Sequence, residues 1–215
     1  MLNGANVGAV LNPAGSWEIL QFANAELVGE KTYKLSQLLR GQAGSDYAIA
    51  DPLPPGSPFV LLDDHLVTIA CGLDALDRAI DLRIVATGRS HDDPSALSLT
   101  VTPQATALMP LSPVHVTALR KAGGIRVSWI RRTRRDGDNW AVDVPLGEDA
   151  EAYTLDILSG GSVVRSIPCT APSILYASAD ELADFGTPLT VLHGRISQMS
   201  GTVGRGHLRE FTLTL

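Results

Sequence analysis

The chain has 215 residues, 45% of them hydrophobic, and its 23 acidic and 17 basic residues give a formal net charge of −6 at pH 7. This apolar content is enough to bury a core, so disorder is not the default interpretation. The negative charge argues against a general nucleic-acid binder, because such proteins need a basic face to neutralise phosphates. No apolar run approaches the roughly 18–20 residues that cross a bilayer.

The length suits two domains of about 100 residues each. Twenty glycines and 13 prolines, together with many β-branched residues, predict an all-β chain rich in turns. We place the boundary near Leu111, which gives an irregular β domain over residues 1–111 and a β-sandwich over residues 112–215. Because the chain starts in mid-pattern, we expect it to be the C-terminal piece of a longer protein. Cys71 and Cys169 are predicted to be buried free thiols, with a disulfide between them as the alternative, and no Cys/His spacing indicates a zinc site.

The first domain opens with a short predicted strand at residues 7–11, followed by a strong turn signal at residues 12–15. A dense apolar strand is predicted over residues 17–22. Residues 36–41 are predicted to form a short helical turn, because Gly41 can adopt the left-handed conformation that closes a helix. Extended segments or strands are then predicted at residues 47–50, 59–62 (a buried strand), 82–87 and 97–102.

The second domain contains short apolar segments at regular spacing, which is typical of a β-sandwich. Its predicted strands are residues 114–119, 125–131, 140–144, 153–158, 162–167, 190–197 and 209–214. One short inserted helix is predicted from a capping box at residues 178–181, and Gly186 ends it. The pattern around Trp129 and Tyr153 resembles the core of a fibronectin type III module. Two departures are a long insertion between these aromatics and the absence of the late-strand tyrosine, near whose place Leu189 lies.

A second resemblance is carried by residues 15–46, GSWEILQFANAELVGEKTYKLSQLLRGQAGSD. This segment resembles the late region of the large tail-tip (baseplate hub) proteins of gene transfer agents and related long-tailed phages. In that family an apolar WE-LQF strand is followed by a Y-LS-LLRGQ-G-[ST] segment. The likeness continues more loosely through residues 113–119 and 127–133 to the end of the chain.

The resemblance implies a structural component of a phage-like tail tip or baseplate that contributes to tail assembly and host-cell attachment. It implies partners among other tail-tip proteins, fibres and a host receptor or glycan, and a homo-oligomer, commonly a trimer, in the full-length protein. The implied location is the distal tail of a virion-like particle made in the bacterial cytoplasm. Members of the family also carry a TIM-barrel-like, glycosidase-related region, but it lies upstream of the matched part, so none of its residues transfer.

The sharpest local feature is a run of four arginines, Arg131, Arg132, Arg134 and Arg135, with Trp140 close behind. Guanidiniums at a hairpin could grip phosphate or carboxylate groups on a glycolipid or a partner protein, and the indole could stack on a sugar ring. The alternative is a solvated hairpin whose arginines pair with nearby acidic residues, and the sequence favours this alternative. An alternative function is a carbohydrate-binding module of a bacterial surface protein, which would need an exposed aromatic platform.

Catalytic signals are weak throughout the chain. The triplets at residues 63–65 (Asp-Asp-His) and 91–93 (His-Asp-Asp) are the kind that can hold a metal, but structural turns are favoured. No Gly-x-Ser-x-Gly motif is present, and Cys71 has no recognisable histidine partner. The glycine-rich residues 201–206 are predicted to form a hairpin, because no Gly-Lys-[Ser/Thr] follows them. We therefore predict a protein that is not an enzyme and that has no cofactor or metal.

Overall fold

The structure is a computed structural model that describes residues 5–137 and 143–215. Antiparallel strands dominate these ranges, so the predicted all-β class is confirmed. The elements are β1 (Val7–Leu11), β2 (Trp17–Gly29), β3 (Thr32–Gln42), β4 (Phe59–Leu61), β5 (Ile80–Ile84), β6 (Leu97–Val101), β7 (Val114–Lys121), β8 (Gly124–Ile130), β9 (Tyr153–Ser159), β10 (Ser162–Cys169), β11 (Ser173–Ala177), α1 (Ser178–Phe185), β12 (Val191–Ser200), β13 (Gly204–Arg205) and β14 (Arg209–Thr214).

The chain divides into two compact units. The first unit runs to Asp63 and resumes at Met109, and the second unit is Asp64–Leu108. The first unit therefore holds both the N-terminal sheet and the sandwich. The boundary that we place near Leu111 lies close to one edge of the second unit, whereas its other edge, after Asp63, is not among the sequence expectations.

The N-terminal sheet has the strand order β3-β2-β1-β4. The β1–β2 hairpin pairs Val7 with Gln21 and Leu11 with Trp17. Its turn is the predicted one, because the Asn12 side chain accepts the N–H of Ser16 at 2.9 Å. A small core forms between the strands from buried apolar side chains, with Leu35 and Leu53 partly buried against them. The buried members are Val10, Leu20 and Phe22.

The predicted helical turn at residues 36–41 is wrong, because this segment belongs to β3. Ser36 pairs with Asn24 and Leu38 pairs with Phe22, so ladder bonds to β2 satisfy the backbone that a helical turn would have satisfied internally. Gly41 does adopt a left-handed conformation, with φ of 63°. It does not close a helix. Glycine is needed here because a Cβ would lie only 2.9 Å from the Cα of Asp46.

Two further local expectations are corrected by the structure. The segment at residues 47–50 is not extended throughout, because a 3-10 turn covers Ser45–Ala48. The strand predicted at residues 59–62 exists as β4, but all three of its side chains are exposed instead of buried. This strand lies at the outer edge of the sheet and pairs with β1, so one side of its backbone has no strand neighbour within the described sheet.

The second unit is built around one hairpin. Strands β5 and β6 pair from Ile80↔Val101 to Ile84↔Leu97. All residues of 64–108 are described, and none of them is buried. The predicted strands at 82–87 and 97–102 are therefore present in shifted form, but they lack a core of their own.

The sandwich consists of two antiparallel sheets that face each other. One sheet has the order β10-β9-β12, with β13 and β14 both paired to β12, and the other has the order β11-β8-β7. Trp129 and Tyr153 meet edge to face at 5.2 Å in the core, which confirms their predicted positions. Strand β11 is not among the sequence expectations. Of the strand predicted at 140–144, residues 140–142 lie outside the described residues, and Asp143 and Val144 are not in a strand.

Helix α1 follows β11, and Gly186 ends it in the left-handed conformation, as predicted. The predicted capping box is wrong, because Ala177 is the N-cap residue and no side chain caps the helix. Glu181 is instead buried and receives the guanidinium of Arg120 at 3.0 and 2.9 Å. It also accepts the N–H of Leu189 at 2.6 Å. A buried carboxylate without a charged partner costs more free energy than a helix end without a side-chain cap, so the ion pair takes precedence.

Both cysteines are free thiols. Cys71 is exposed, whereas a buried position was expected. Cys169 is half-buried in β10, and burial raises the pKa of its thiol to about 11.

Candidate functional site

A buried ion pair organises the segment that follows β3. Glu18 points inward from β2, and Arg40 donates from Nε to its Oε1 at 2.8 Å. The same carboxylate accepts the N–H of Gly41 at 3.1 Å, while Arg40 Nη2 also donates to the carbonyl of Ala50 at 3.0 Å. The hydrogen bond to Glu18 raises the pKa of the guanidinium above its usual range, although burial opposes it. These contacts fix the path of the chain from residue 40 to residue 50.

Ser45 sets the direction of the 3-10 turn that comes next. Its hydroxyl donates to the carbonyl of Gln42 at 2.7 Å and accepts the N–H of Ile19 at 2.8 Å. The turn is thereby tied to both strands of the hairpin. As a result, the side chains of Asp46 and Tyr47 face residues of the sandwich.

Asp46 and Arg132 join the N-terminal sheet to the sandwich. One guanidinium nitrogen of Arg132 donates to Oδ1 and Oδ2 of Asp46 at 3.0 and 2.9 Å. Arg132 also donates from Nε to the carbonyl of Ser112 at 2.8 Å. Beside this pair, the rings of Tyr47 and His207 stack at 3.9 Å with an angle of 10° between their planes. We call these five residues the joint.

Glycines allow the close approach around the joint. A Cβ at Gly44 would meet the side chain of Leu111, and a Cβ at Gly206 would lie 2.6 Å from the carbonyl oxygen of Pro110. Gly44 has φ of 78°, a conformation that favours glycine over residues with a Cβ. His207 N–H donates to the same Pro110 carbonyl at 3.0 Å.

The structure separates the four predicted arginines into different roles. Arg132 belongs to the joint, Arg134 pairs with Glu148 at 3.1 Å, and Arg131 donates to the carbonyl of Val144 at 2.6 Å. Arg135 is exposed. Trp140, the fifth predicted residue, lies outside the described residues.

A second polar cluster lies on the outer face of the β10-β9-β12 sheet and was not predicted. Asp156 of β9 is buried and accepts hydrogen bonds from Ser166 at 2.6 Å, Arg195 at 3.0 Å and Arg205 at 2.7 Å. Burial alone would raise the pKa of Asp156, but the donors outweigh it and hold the pKa below its usual range. Since Arg205 belongs to β13, the cluster anchors the glycine-rich hairpin onto the sheet.

The distal half of the β2–β3 hairpin forms a second candidate surface. Leu27 pairs with Tyr33 and Glu26 pairs with Lys34, so consecutive pairs point to opposite faces. Leu27 is 63% exposed and Tyr33 is 60% exposed. We call residues 24–36 the ribbon. No motif in the sequence signals it, although its alternating pattern is readable once the pairing register is known.

The two acidic triplets are positioned as parts of loops. Asp93 accepts the N–H of Ser95 at 2.9 Å and its hydroxyl at 2.6 Å, which is the geometry of a structural turn. Within the described residues, no group of three or more His, Cys, Asp or Glu side chains is arranged to hold a metal ion. The helices found in residues 5–137 and 143–215 include none long and apolar enough to cross a membrane.

These observations define an all-β protein in which a β-sandwich is fastened to a sheet with a projecting hairpin. Residues 1–60 match the model of the family described as Rcc01698-like, C-terminal. Rcc01698 is a protein associated with gene transfer agents, so the N-terminal part of this chain is similar to a gene-transfer-agent-related protein. The match ends near β4 and contains all of β2, β3 and the Asp46 side of the joint.

Other comparisons add little to this match. The rat CD45 extracellular region, domains d3–d4, has 12% sequence identity and a TM-score of 0.33, over 89% of this chain and 94% of that chain. A score this low carries no argument, so the sandwich assignment comes from the strand order itself. Comparison with curated proteins finds no match.

We predict that Asp46 and Arg132 stabilise the fold as a coupled pair. In urea unfolding, a double-mutant cycle with Asp46→Ala and Arg132→Ala should give an interaction energy of about 0.5–1.5 kcal/mol, kept modest because both side chains are partly exposed. Arg135→Ala is the matched control and should change the free energy of unfolding by less than about 0.5 kcal/mol. Additive single substitutions would show that the pair does not couple the two sheets.

We also predict an acid-sensitive contribution from Asp156. Its folded-state pKa lies below the ordinary value of 3.8, so the stabilisation is present at neutral pH and is lost as pH falls through about 4 and below. Arg205→Ala should therefore destabilise the protein by about 1–3 kcal/mol at pH 7, and the difference from wild type should shrink near pH 3. Exposed Arg209→Ala is the control. A difference that stays constant with pH would contradict this role.

Proposed function

We propose that this protein is a structural component of a phage-like tail tip or baseplate of a gene transfer agent, where it contributes to tail assembly and host-cell attachment. The observation that carries the proposal is the family match over residues 1–60, which coincides with the segment that forms the hairpin and one side of the joint. In this proposal the chain acts through shape and surface, without catalysis. It is made in the bacterial cytoplasm and ends at the distal tail of the particle.

The contacts of the joint support a role in holding two parts of a structural component together. Asp46 and Arg132 are separated by 86 positions in the chain, and their ion pair fastens two sheets that are folded around separate apolar clusters. A charge-assisted pair between the two sheets adds a direct contact that holds them together, beyond the chain that links them.

Attachment requires groups that remain available on the surface. Arg135 is exposed, while Arg132 and Arg134 are engaged by carboxylates, so we assign the attachment role to Arg135 and to the part of Arg131 that faces solvent. Partners in this proposal are neighbouring tail proteins or fibres and a receptor or glycan of the host cell. The alternative, a carbohydrate-binding module, is favoured by one observation, the exposed ring of Tyr33.

Immunoelectron microscopy of particles tests the proposed location. Antibodies raised against this chain should label the distal end of the tail, and antibody absorbed with the purified chain should give no label. Labelling of the capsid or of the cell surface alone would contradict the proposal. Binding of the purified chain to surface polysaccharide, lost in Tyr33→Ala, would favour the carbohydrate-binding alternative.

A further inference from the structure

The sandwich is open along one side, between its two sheets. In the described part of the chain β14 pairs with β12 alone, so it is a terminal strand of its sheet, and β7 is a terminal strand of the other sheet. A groove of about 600 Å³ lies between them and is lined by residues 114–116 and 209–213. Val116, Phe211 and Leu213 pack against the main core but are only partly buried, so the groove exposes the margin of that core. We call it the edge groove.

An irregularity in β7 accompanies the edge groove. The pairing of β7 with β8 shifts register between Val114 and Thr117. His115 lies inside this interruption with a positive φ of 50°. A bulge of this kind bends its strand, and the described sheets contain no pairing between β7 and β14. The start of β7 therefore leaves the edge of β14 uncovered.

The free edge of β14 presents backbone polar groups at regular spacing. Leu215 N–H donates to the Thr190 carbonyl at 3.0 Å, and the register with β12 runs without a shift along all six residues of β14. In an antiparallel ladder the backbone groups of alternate residues face the same neighbour, so the odd-numbered residues of β14 bond to β12. The even-numbered residues, Glu210, Thr212 and Thr214, direct their N–H and C=O groups toward the open edge.

Other strand edges of the described sheets carry features that discourage the addition of a strand. Strand β10 contains Pro168 and a register shift between Val163 and Arg165. Strand β3 carries Lys34 and has a positive φ of 54° at Gln37. Proline, lysine and bulges are the usual means by which an edge is kept unpaired. Strand β14 has none of these, and its two charged residues both stand at its start.

The chemistry of the edge groove selects an extended peptide. Its alternating N–H and C=O groups match the backbone of another strand, and every second side chain of such a strand would point at the apolar floor. Arg209 is exposed and lies on the same face of β14 as Phe211, at one end of the groove, where it would attract a carboxylate. Glu210 follows at the next position, so its side chain points to the opposite face.

We propose that the edge groove binds an extended, protein-derived peptide segment that adds to β14 as an antiparallel strand. Its apolar side chains cover Val116, Phe211 and Leu213, and an acidic residue at its C-terminal end lies beside Arg209, where β14 begins. The antiparallel direction follows the rest of the sheet and is the more stable of the two. The inference goes beyond the proposed function, because the groove fits such a segment in any assembly that contains this chain.

Nuclear magnetic resonance titration of the nitrogen-15-labelled full chain tests the proposal. The probe is an eight-residue peptide with blocked ends, in which threonine and valine alternate and aspartate replaces the last valine. We expect saturable binding with a Kd below about 1 mM. The amide signals of Glu210, Thr212 and Thr214 should shift, and their hydrogen exchange, rapid in the free chain, should slow when the peptide is bound.

Two methylated probes separate strand addition from simple apolar contact. The threonine amides of the bound peptide face β14, because threonine and the even-numbered residues share a face. Methylation of the central threonine amides should therefore weaken binding at least about tenfold, whereas methylation of the central valine amides should change it less than about threefold. Equal binding of the two probes would overturn the proposal, as would the absence of saturable binding or shifts that lie outside the edge groove.

A matched pair of substitutions tests the same edge from the side of the protein. Thr212→Pro removes an outward N–H but no ladder bond to β12, so it should weaken peptide binding at least about tenfold. Thr212→Ala keeps that N–H and should bind within about twofold of wild type. Arg209→Gln should weaken the aspartate peptide about two- to fivefold and leave an asparagine version unchanged. Circular dichroism verifies the fold of each variant, and the methylated probes decide the matter on wild type if the proline variant unfolds.

Discussion

The ion pair between Asp46 and Arg132 is the constraint on which the arrangement of the first unit depends. Each partner is itself held in place, Asp46 by the turn that Ser45 anchors and Arg132 by its bond to the Ser112 carbonyl. The stacked rings of Tyr47 and His207 add an apolar contact beside the pair. The N-terminal sheet, whose own core is small, is thus supported by the larger sandwich.

This arrangement explains why the N-terminal sheet can carry a projecting hairpin. The base of the hairpin is fixed twice, by the buried Glu18–Arg40 pair and by the joint, so its position does not depend on the ribbon itself. A buried pair of this kind specifies geometry as much as it adds stability. Because the base of the hairpin is held by these contacts, the pairing register of the ribbon is kept although its apolar side chains are exposed.

Local patterns predicted the sandwich well because alternation and turn residues are readable without knowing partners. Trp129 and Tyr153 reached the core, and Gly186 ended α1, as expected. The failures arise where a distant partner decides the outcome. Residues 36–41 form part of a strand because β2 pairs with them. The Glu181 side chain does not cap the helix because it forms an ion pair with Arg120.

The arginine run shows the same limit at the level of function. The sequence favours pairing of these arginines with nearby acidic residues. Arg134 does pair with nearby Glu148, whereas Arg132 pairs with the distant Asp46. Asp46 could not be identified as a partner from the sequence, because it lies 86 positions away from Arg132. The joint and the Asp156 cluster were missed for the same reason, since their members become neighbours only through the fold.

Pulsed electron paramagnetic resonance between the two sheets tests the central claim most directly. Spin labels on Ala14→Cys in the β1–β2 turn and Val163→Cys in β10, in a chain with Cys71→Ser and Cys169→Ser, report the distance across the joint. Dilution with unlabelled chain removes distances between copies. The account predicts one narrow distance distribution that broadens in Arg132→Ala. A broad distribution that is already present with Arg132 intact would contradict it.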